Sequence, residues 1–212
     1  PPALYHSASG RLRITISGKD APLNRPDLGV NAVEAAVLAV HAINTVHMDP
    51  TIHYSVKPTH MTAGQLFPDR IPTTAVLIAD LKHQDTKMYA QMHDKTIRAV
   101  EAAIAAIGAT ATFESINYVP GAAYNEDAVD TARSAIIQAL GESGCLPPHK
   151  TTGGDDFHYF VRHLGCKATY IGLGADASPG LHHQDMCFNT DCLDHGVKIL
   201  TNIISKKLGF LL

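Results

Sequence analysis

No stretch of the 212 residues stays apolar for the roughly 18 residues that a membrane-crossing helix needs, so no membrane partner is expected. Neither sign of charge dominates: the formal net charge is -3, which leaves no basic footprint for nucleic acid. The first residues, Pro-Pro-Ala-Leu-Tyr-His, lack the basic-then-apolar pattern of a secretion signal. They also lack an initiating methionine, and the chain is expected to continue a longer protein. Cysteine is sparse. Cys145, Cys166, Cys187 and Cys192 show no paired metal spacing, and reduced thiols of a cytoplasmic protein are expected rather than a disulfide framework. H-E-x-x-H, C-x-x-C and a Glu-Glu pair are all missing, which removes the commonest one-segment metal signatures. A composition of 45% hydrophobic and 17% charged residues fits one large or two small globular domains.

The chain does carry periodic segments. Arg11–Ser17 alternates, with Leu12, Ile14 and Ile16 on one face, which predicts a half-buried strand. Asn31 and Glu34 form a capping-box start to a helix whose stripe is Val33, Ala36, Val37, Val40, Ile43 and Val46, stopped at Asp49-Pro50. An extended run over 53–61 carries Pro58, which marks an edge or a bulge. A second extended run over 73–81 places Ala75, Leu77, Ala79 and Leu81 on one face. Asp85 caps a second helix containing Met92, Val100, Ile104 and Ile107, which Gly108 ends. A last strand covers 109–118. Strand, helix, strand, strand, helix, strand is the split βαβ, ferredoxin-like order, which by itself specifies no function. Beyond it, 127–140 reads as a helix, Phe157–Leu164 as a short helix started at Asp155 or Asp156, and Tyr170–Leu173 as a core strand. The final helix over 190–206 is expected to turn Leu193, Val197, Leu200 and Ile204 inward.

Chemistry concentrates in two glycine turns. Gly153-Gly154-Asp155-Asp156-Phe157 presents two carboxylates, and Pro179-Gly180-Leu181-His182-His183 presents two imidazoles. Carboxylate and neutral imidazole are ligands that a borderline divalent cation such as zinc accepts. Spacing alone favours a solvated polar loop over a metal site. Among the thirteen histidines, His41, His47, His53, His60, His83 and His93 are read as ordinary polar residues of helix faces, turns and strand ends.

Taken together, Gly-Gly-Asp-Asp-Phe-His-Tyr-Phe, a strand-like run ending Gly-Leu-Gly, Pro-Gly-Leu-His-His and a final helix resemble the end of the metal-dependent amidohydrolases of peptidase family M20, with its aminoacylases and carboxypeptidases. The bacterial N-acyl-amino-acid amidohydrolases are the branch most similar. The resemblance implies an α+β or α/β architecture, in which a ferredoxin-like βαββαβ lid is joined to the C-terminal part of a zinc-peptidase-like catalytic domain. It implies three segments: 1–10 ending the first catalytic stretch, 11–118 as a lid of the dimerisation type, and 119–212 as the C-terminal catalytic segment. It makes His182 a metal ligand for zinc, manganese or cobalt, and gives Asp155 and Asp156 supporting roles behind it. It puts His183, Asn24, Asp69 and Lys82 on the substrate side. His47-Met-Asp49 and His183-Gln-Asp185 imitate the family's His-x-Asp opening but stand in the wrong context for it.

Departures accompany the match. Gly18 to Ala32 keeps the family's framework, yet Pro22 and Asp27 stand where two histidines are expected. Asp69-Arg70-Ile71-Pro72 replaces Asn-x-Ile-Pro, and Lys82 replaces an arginine. Proline has no side-chain donor, aspartate repels a carboxylate that asparagine would accept, and lysine lacks the bidentate fork. The family's other ligands and its general base precede the lid, and no such residues precede Arg11 here. Two functions therefore stand side by side. One is hydrolysis of an N-acyl amino acid or related small amide by a metal-activated water, for which this chain is incomplete and by itself inactive. The other is a non-catalytic homologue or fragment that acts through lid-mediated association into a homo-oligomer.

Overall fold

The computed structural model describes residues 1–66 and 69–209; the last three residues of the 119–212 segment lie outside it. The chain divides into two compact units. One gathers 6–121 with 152–156, and the other gathers 1–5, 122–151 and 157–212.

The first unit is built on a four-stranded antiparallel sheet. Its strands are β2 (Ala8–Ser17), β3 (Tyr54–Ala63), β4 (Thr74–His83) and β5 (Thr110–Val119); β1 is the short Leu4–His6. The order is β3-β4-β2-β5, the ferredoxin-like arrangement that the alternation predicts. Period-2 burial sets the faces. Leu12, Ile14 and Ile16 of β2, and Ala75, Leu77, Ala79 and Leu81 of β4, are buried. Ser9, Arg11 and Arg13 pair with Lys82, Asp80 and Ile78 on the opposite face. Two helices cover the buried side: α1 (Ala32–Asn44) and α2 (Thr86–Ala105). The β2–β5 ladder runs from Ser17↔Thr110 to Ser9↔Val119, so the first and last strands of the repeat share one sheet. Pro58 lies in edge strand β3, beside a register shift between Pro58 and His60.

Both helix starts follow the sequence. Asn31 accepts from the Val33 amide, and Asp85 accepts from those of Lys87 and Met88. Glu34, however, receives the Asn31 side-chain amide at 3.4 Å and so braces the cap residue's side chain. Helix α1 ends at Asn44, with Thr45 as its C-cap, ahead of Asp49-Pro50. Its buried stripe is mostly alanine: Ala32, Ala35, Ala36, Ala39 and Ala42, with Ile43, are covered and Val37 is exposed. Small residues let the helix lie close to the sheet, so the valines are displaced to its flank.

The second unit holds α3 (Glu126–Leu140), the strand β6 (His149–Thr151), α4 (His158–Arg162) and α5 (Cys192–Leu208). β6 pairs with β1. Asn125 caps α3 through the Ala128 amide. Three expectations fail here. Tyr170–Leu173 is not a strand: its segment lies along the N-terminal residues, with Leu4 donating to the Tyr170 carbonyl and Gly172 to that of Pro1, and is only partly buried. Helix α4 is N-capped by Phe157 with no side-chain cap, so neither Asp155 nor Asp156 starts it. On α5, Leu193, Val197, Leu200 and Ile204 are exposed, while Cys192 and Ile199 are buried. The buried cluster of this unit is Ala135, Ile136 and Ile199, with Leu140, Ile171 and Ile203 packed against it.

Candidate active-site segments

The Gly153–Asp156 turn belongs to the sheet-bearing unit. The Ser7 amide donates to the Gly153 carbonyl at 2.9 Å. A Cβ on Gly154 would stand 2.7 Å from both Ser9 Cβ and Val119 Cγ2, a separation that van der Waals radii forbid. Glycine is thus required for the turn to rest on the ends of β2 and β5. Ser9 is also the cross-strand partner of Lys82, so the turn and Lys82 meet the same residue. Lys82 Nζ lies 3.4 Å from Asp80, which Arg11 also approaches at 3.9 Å. Asp155 is half-buried and Asp156 exposed. Asp155 lies near His6: burial lowers the His6 pKa, and the Asp155 charge opposes part of that fall. His6 is a site neighbour that sequence reasoning missed. It sits in no motif, and only the fold carries it to the turn.

Asn24 and Asp69 lie at the opposite end of the sheet, in exposed turns. Here Ile71 donates to the Ala21 carbonyl and Ala32 to that of Pro72. These bonds seat the Arg70-Ile71-Pro72 segment beside the start of α1. Asp20, Gly64, Gln65, Arg70, Pro72 and Thr74 help to line a cavity of about 500 Å³. Arg70 forks onto Asp20, Nε and Nη2 lying 2.7 and 2.6 Å from its oxygens. The guanidinium holds the Asp20 carboxyl below its usual range. Ser9 and Ser17 are separated by eight steps of about 3.3 Å. Lys82 and the Asp69 segment are therefore roughly 26 Å apart along the sheet and do not form one subsite within this chain.

His182 and His183 belong to the second unit. Ser178 and Cys187 exchange backbone hydrogen bonds of 3.0 and 2.9 Å, which close the loop between them; the Ser178–Pro179 bond is cis. His182 has φ 68, the left-handed region that few non-glycine residues adopt. The loop is a turn rather than extended chain, which removes the expected alternation of the two side chains. Both histidines are exposed. The Asp185 amide donates to His183 Nδ1 at 3.1 Å. In the neutral ring this leaves the proton on Nε2, and neither nitrogen offers a metal a lone pair. The His182 ring makes no hydrogen bond among the described residues. In the same unit, His158 is fully buried among the rings of Tyr124, Phe157 and Tyr170, at centroid distances of 5.6–6.3 Å.

Zinc needs three protein ligands in a catalytic site and four in a structural one. Among the described residues, no three His, Cys, Asp or Glu side chains come together to hold a metal ion. The donor set of the described residues does not by itself fit such a centre.

These features are a ferredoxin-like sheet unit that carries the glycine-turn carboxylates and a helical unit that carries the two histidines. The family model for peptidase family M20/M25/M40 matches residues 13–206, and the chain belongs to that family. Similar solved structures include a tripeptidase from Staphylococcus aureus (TM-score 0.76, 18% identity, covering 95% of this chain and 52% of that one). The Bacillus subtilis YXEP protein, described as a dinuclear metal binding peptidase of the family, has TM-score 0.73 and 18% identity over 99% of this chain and 52% of that one. An aminobenzoyl-glutamate utilization protein from Klebsiella pneumoniae gives TM-score 0.69 and 18% identity, over 96% and 51% respectively. The chain spans about half the length of these relatives.

Proposed function

We propose that this chain is the lid-bearing part of a metal-dependent amidohydrolase that cleaves the amide of an N-acyl amino acid or a related small substrate. The observation that carries the reading is the family match over 13–206, in a chain that covers only about half of its relatives. In this reading residues 11–118 are the lid and 119–212 the C-terminal catalytic segment. His182 is the ligand this chain would give to a zinc, manganese or cobalt ion. Its preference over His183 is supported by the ring nitrogens: that of His183 is occupied by Asp185, that of His182 is not. The resemblance gives Asp155 and Asp156 supporting roles and puts Asn24, Asp69, Lys82 and His183 on the substrate side; Asp69 and Lys82 lie at opposite ends of the sheet and so do not meet one substrate molecule within a single copy of this chain. In this reading the remaining ligands and the general base are supplied by residues outside this chain, in keeping with the lack of any three-ligand group among the described residues.

The test uses two proteins: the 212-residue chain, and a longer product extended through the reading frame upstream of Pro1. The chain alone is expected to release no amino acid from N-acetyl substrates with zinc, manganese or cobalt. The extended product is expected to do so, to lose the activity to a chelator, and to lose at least tenfold in His182→Ala. Chelator-insensitive or absent turnover in the extended product would overturn the reading. A second reading, association without catalysis, is favoured by Pro22 and Asp27 at the two positions where the resemblance expects histidine, and by the edge positions of β3 and β5.

A further inference from the structure

A cluster that no part of this reading uses lies where α2 passes over the end of β5. His93 Nε2 is 2.8 Å from Ser115 Oγ, and His93 Nδ1 is 3.3 Å from Asp94 Oδ1. The three side chains share a cavity of about 270 Å³ with Tyr89, Ala90 and Tyr118. Ordinary geometry brings them together. Tyr89 and His93 are four residues apart, hence on one helix face, and their rings stack at 6.5 Å and 28°. On β5, the alternation that packs Ala111 and Phe113 against the core continues to Ser115, so its hydroxyl rises on the helix side.

A bulge completes the cavity. Ser9 pairs with Val119 but Arg11 with Ile116, so Gly10 faces two residues, Asn117 and Tyr118. Asn117 takes φ 53. The extra residue reverses the phase of the strand and returns Tyr118 to the side of Ser115, where its ring meets Tyr89 at 5.1 Å. Bulges are a common way of re-aiming side chains beside active sites. Gly10 permits the arrangement: a Cβ there would lie 2.5 Å from the Tyr89 hydroxyl and 3.2 Å from Tyr118 Cα.

We propose that Ser115, His93 and Asp94 form a metal-independent acyl-transfer site for small, uncharged carboxylic esters, whose apolar group rests on Tyr89, Ala90 and Tyr118. Ser115 Oγ adds to the ester carbonyl carbon as its proton passes to His93 Nε2. The tetrahedral adduct collapses, the bond to the leaving oxygen breaks, and His93 returns the proton to the departing alcohol. Water then adds to the acyl-serine with His93 again taking a proton, and the carboxylic acid leaves as Ser115 is restored. Ester and water become acid and alcohol, with no other reactant. Asp94 is a positioning residue: it accepts Nδ1–H and so keeps Nε2 as the acceptor. Its side chain is 66% exposed, which weakens its pull on the ring, so the rate is expected to be modest and activated esters the best substrates.

The experiment treats the 212-residue chain, in EDTA, with a fluorophosphonate probe and with p-nitrophenyl acetate. One phosphonyl group is expected on Ser115, located by peptide mass mapping. Ser115→Ala is expected to remove it and to leave only the background ester hydrolysis that exposed histidines give. His93→Gln should slow labelling by about 10²-fold or more, as loss of a general base does. Asp94→Asn should slow it less, and Asp94→Glu should recover part of the loss. Ser115 is exposed, so its alanine variant is expected to melt like the parent chain, which separates lost chemistry from lost fold. A probe that fails to label Ser115, or ester turnover unchanged in Ser115→Ala, would overturn the proposal. Because EDTA is present throughout, neither outcome depends on the metal-based amidohydrolase reading.

Discussion

At the scale of single residues, the most constrained positions are those where backbone lies against backbone-bearing neighbours. Gly154→Ala places a methyl group 2.7 Å from Ser9 Cβ and Val119 Cγ2, and Ser9 Cβ, bonded directly to its Cα, cannot swing away. Overpacking of this kind costs about 1–3 kcal/mol, and urea denaturation followed through the sheet is expected to show a lower midpoint with an unchanged slope. His83 makes a second residue-scale case. It is almost fully buried, its Nδ1 accepts from the Asp85 amide at 2.9 Å, and burial lowers its pKa below 6.5 against smaller raising effects of Asp85 and Asp49. The unfolded chain therefore takes up a proton on this side chain before the folded one does. The stabilising contribution is complete above about pH 6.5 and is lost as pH falls from there through the lower folded value. Denaturation at pH 7.5, 6.5 and 5.5 is expected to show stability falling with pH, with a shallower fall in His83→Gln.

Among the elements, strands β2 and β4 and helix α5 show what periodicity can and cannot supply. The alternation in β2 and β4 was readable because one face of each strand is apolar over most of its length, and a one-residue slip would bury Arg11 and Arg13 instead. Helix α5 was readable as a helix but not in its phase. It carries one apolar row at Leu193, Val197, Leu200 and Ile204 and another at Ile199 and Ile203, and a helix with two such rows does not declare which one meets its own unit. Ile199 is 4% exposed and Leu200 is 56% exposed. Ile199→Ala is accordingly expected to destabilise the chain by about 2–4 kcal/mol, while Leu200→Ala leaves it within about 0.5 kcal/mol; thermal melts of the two variants check this. The candidate site was legible only as motifs. The Gly-Gly-Asp-Asp turn and the His-His loop stand out because glycine and clustered chemistry stand out. The meeting of His6 with Asp155, of Lys82 with Ser9, and of Ser115 with His93 depends on cross-strand register and on a bulge, which no local pattern encodes.

For the molecule as a whole, the two units differ in how much core each one has. The sheet unit buries Leu12, Ile14, Ile16, Leu77, Leu81, Met92, Val100 and Ile104 under α1 and α2, and its central strands β2 and β4 pair along their full lengths. The other unit is organised on Ala135, Ile136 and Ile199, a two-stranded β1–β6 pair and long segments without regular structure between α4 and α5. It also exposes Leu146, Phe160, Leu164 and Leu181, besides the outer row of α5. Burial of apolar surface is the main force holding a fold against chain entropy, so the two units are expected to open with different free energies. Amide hydrogen exchange on the intact chain is the direct measurement. The amides of β2 and β4 are expected to exchange slowest. Those of α4, the 164–190 segment and α5 are expected to exchange earlier, at rates that do not change when the sheet unit is weakened by Gly154→Ala. If all amides exchange together through one global opening, the molecule unfolds as a single cooperative body. The small Ala135–Ile136–Ile199 cluster would then draw its stability from the sheet unit rather than from its own packing.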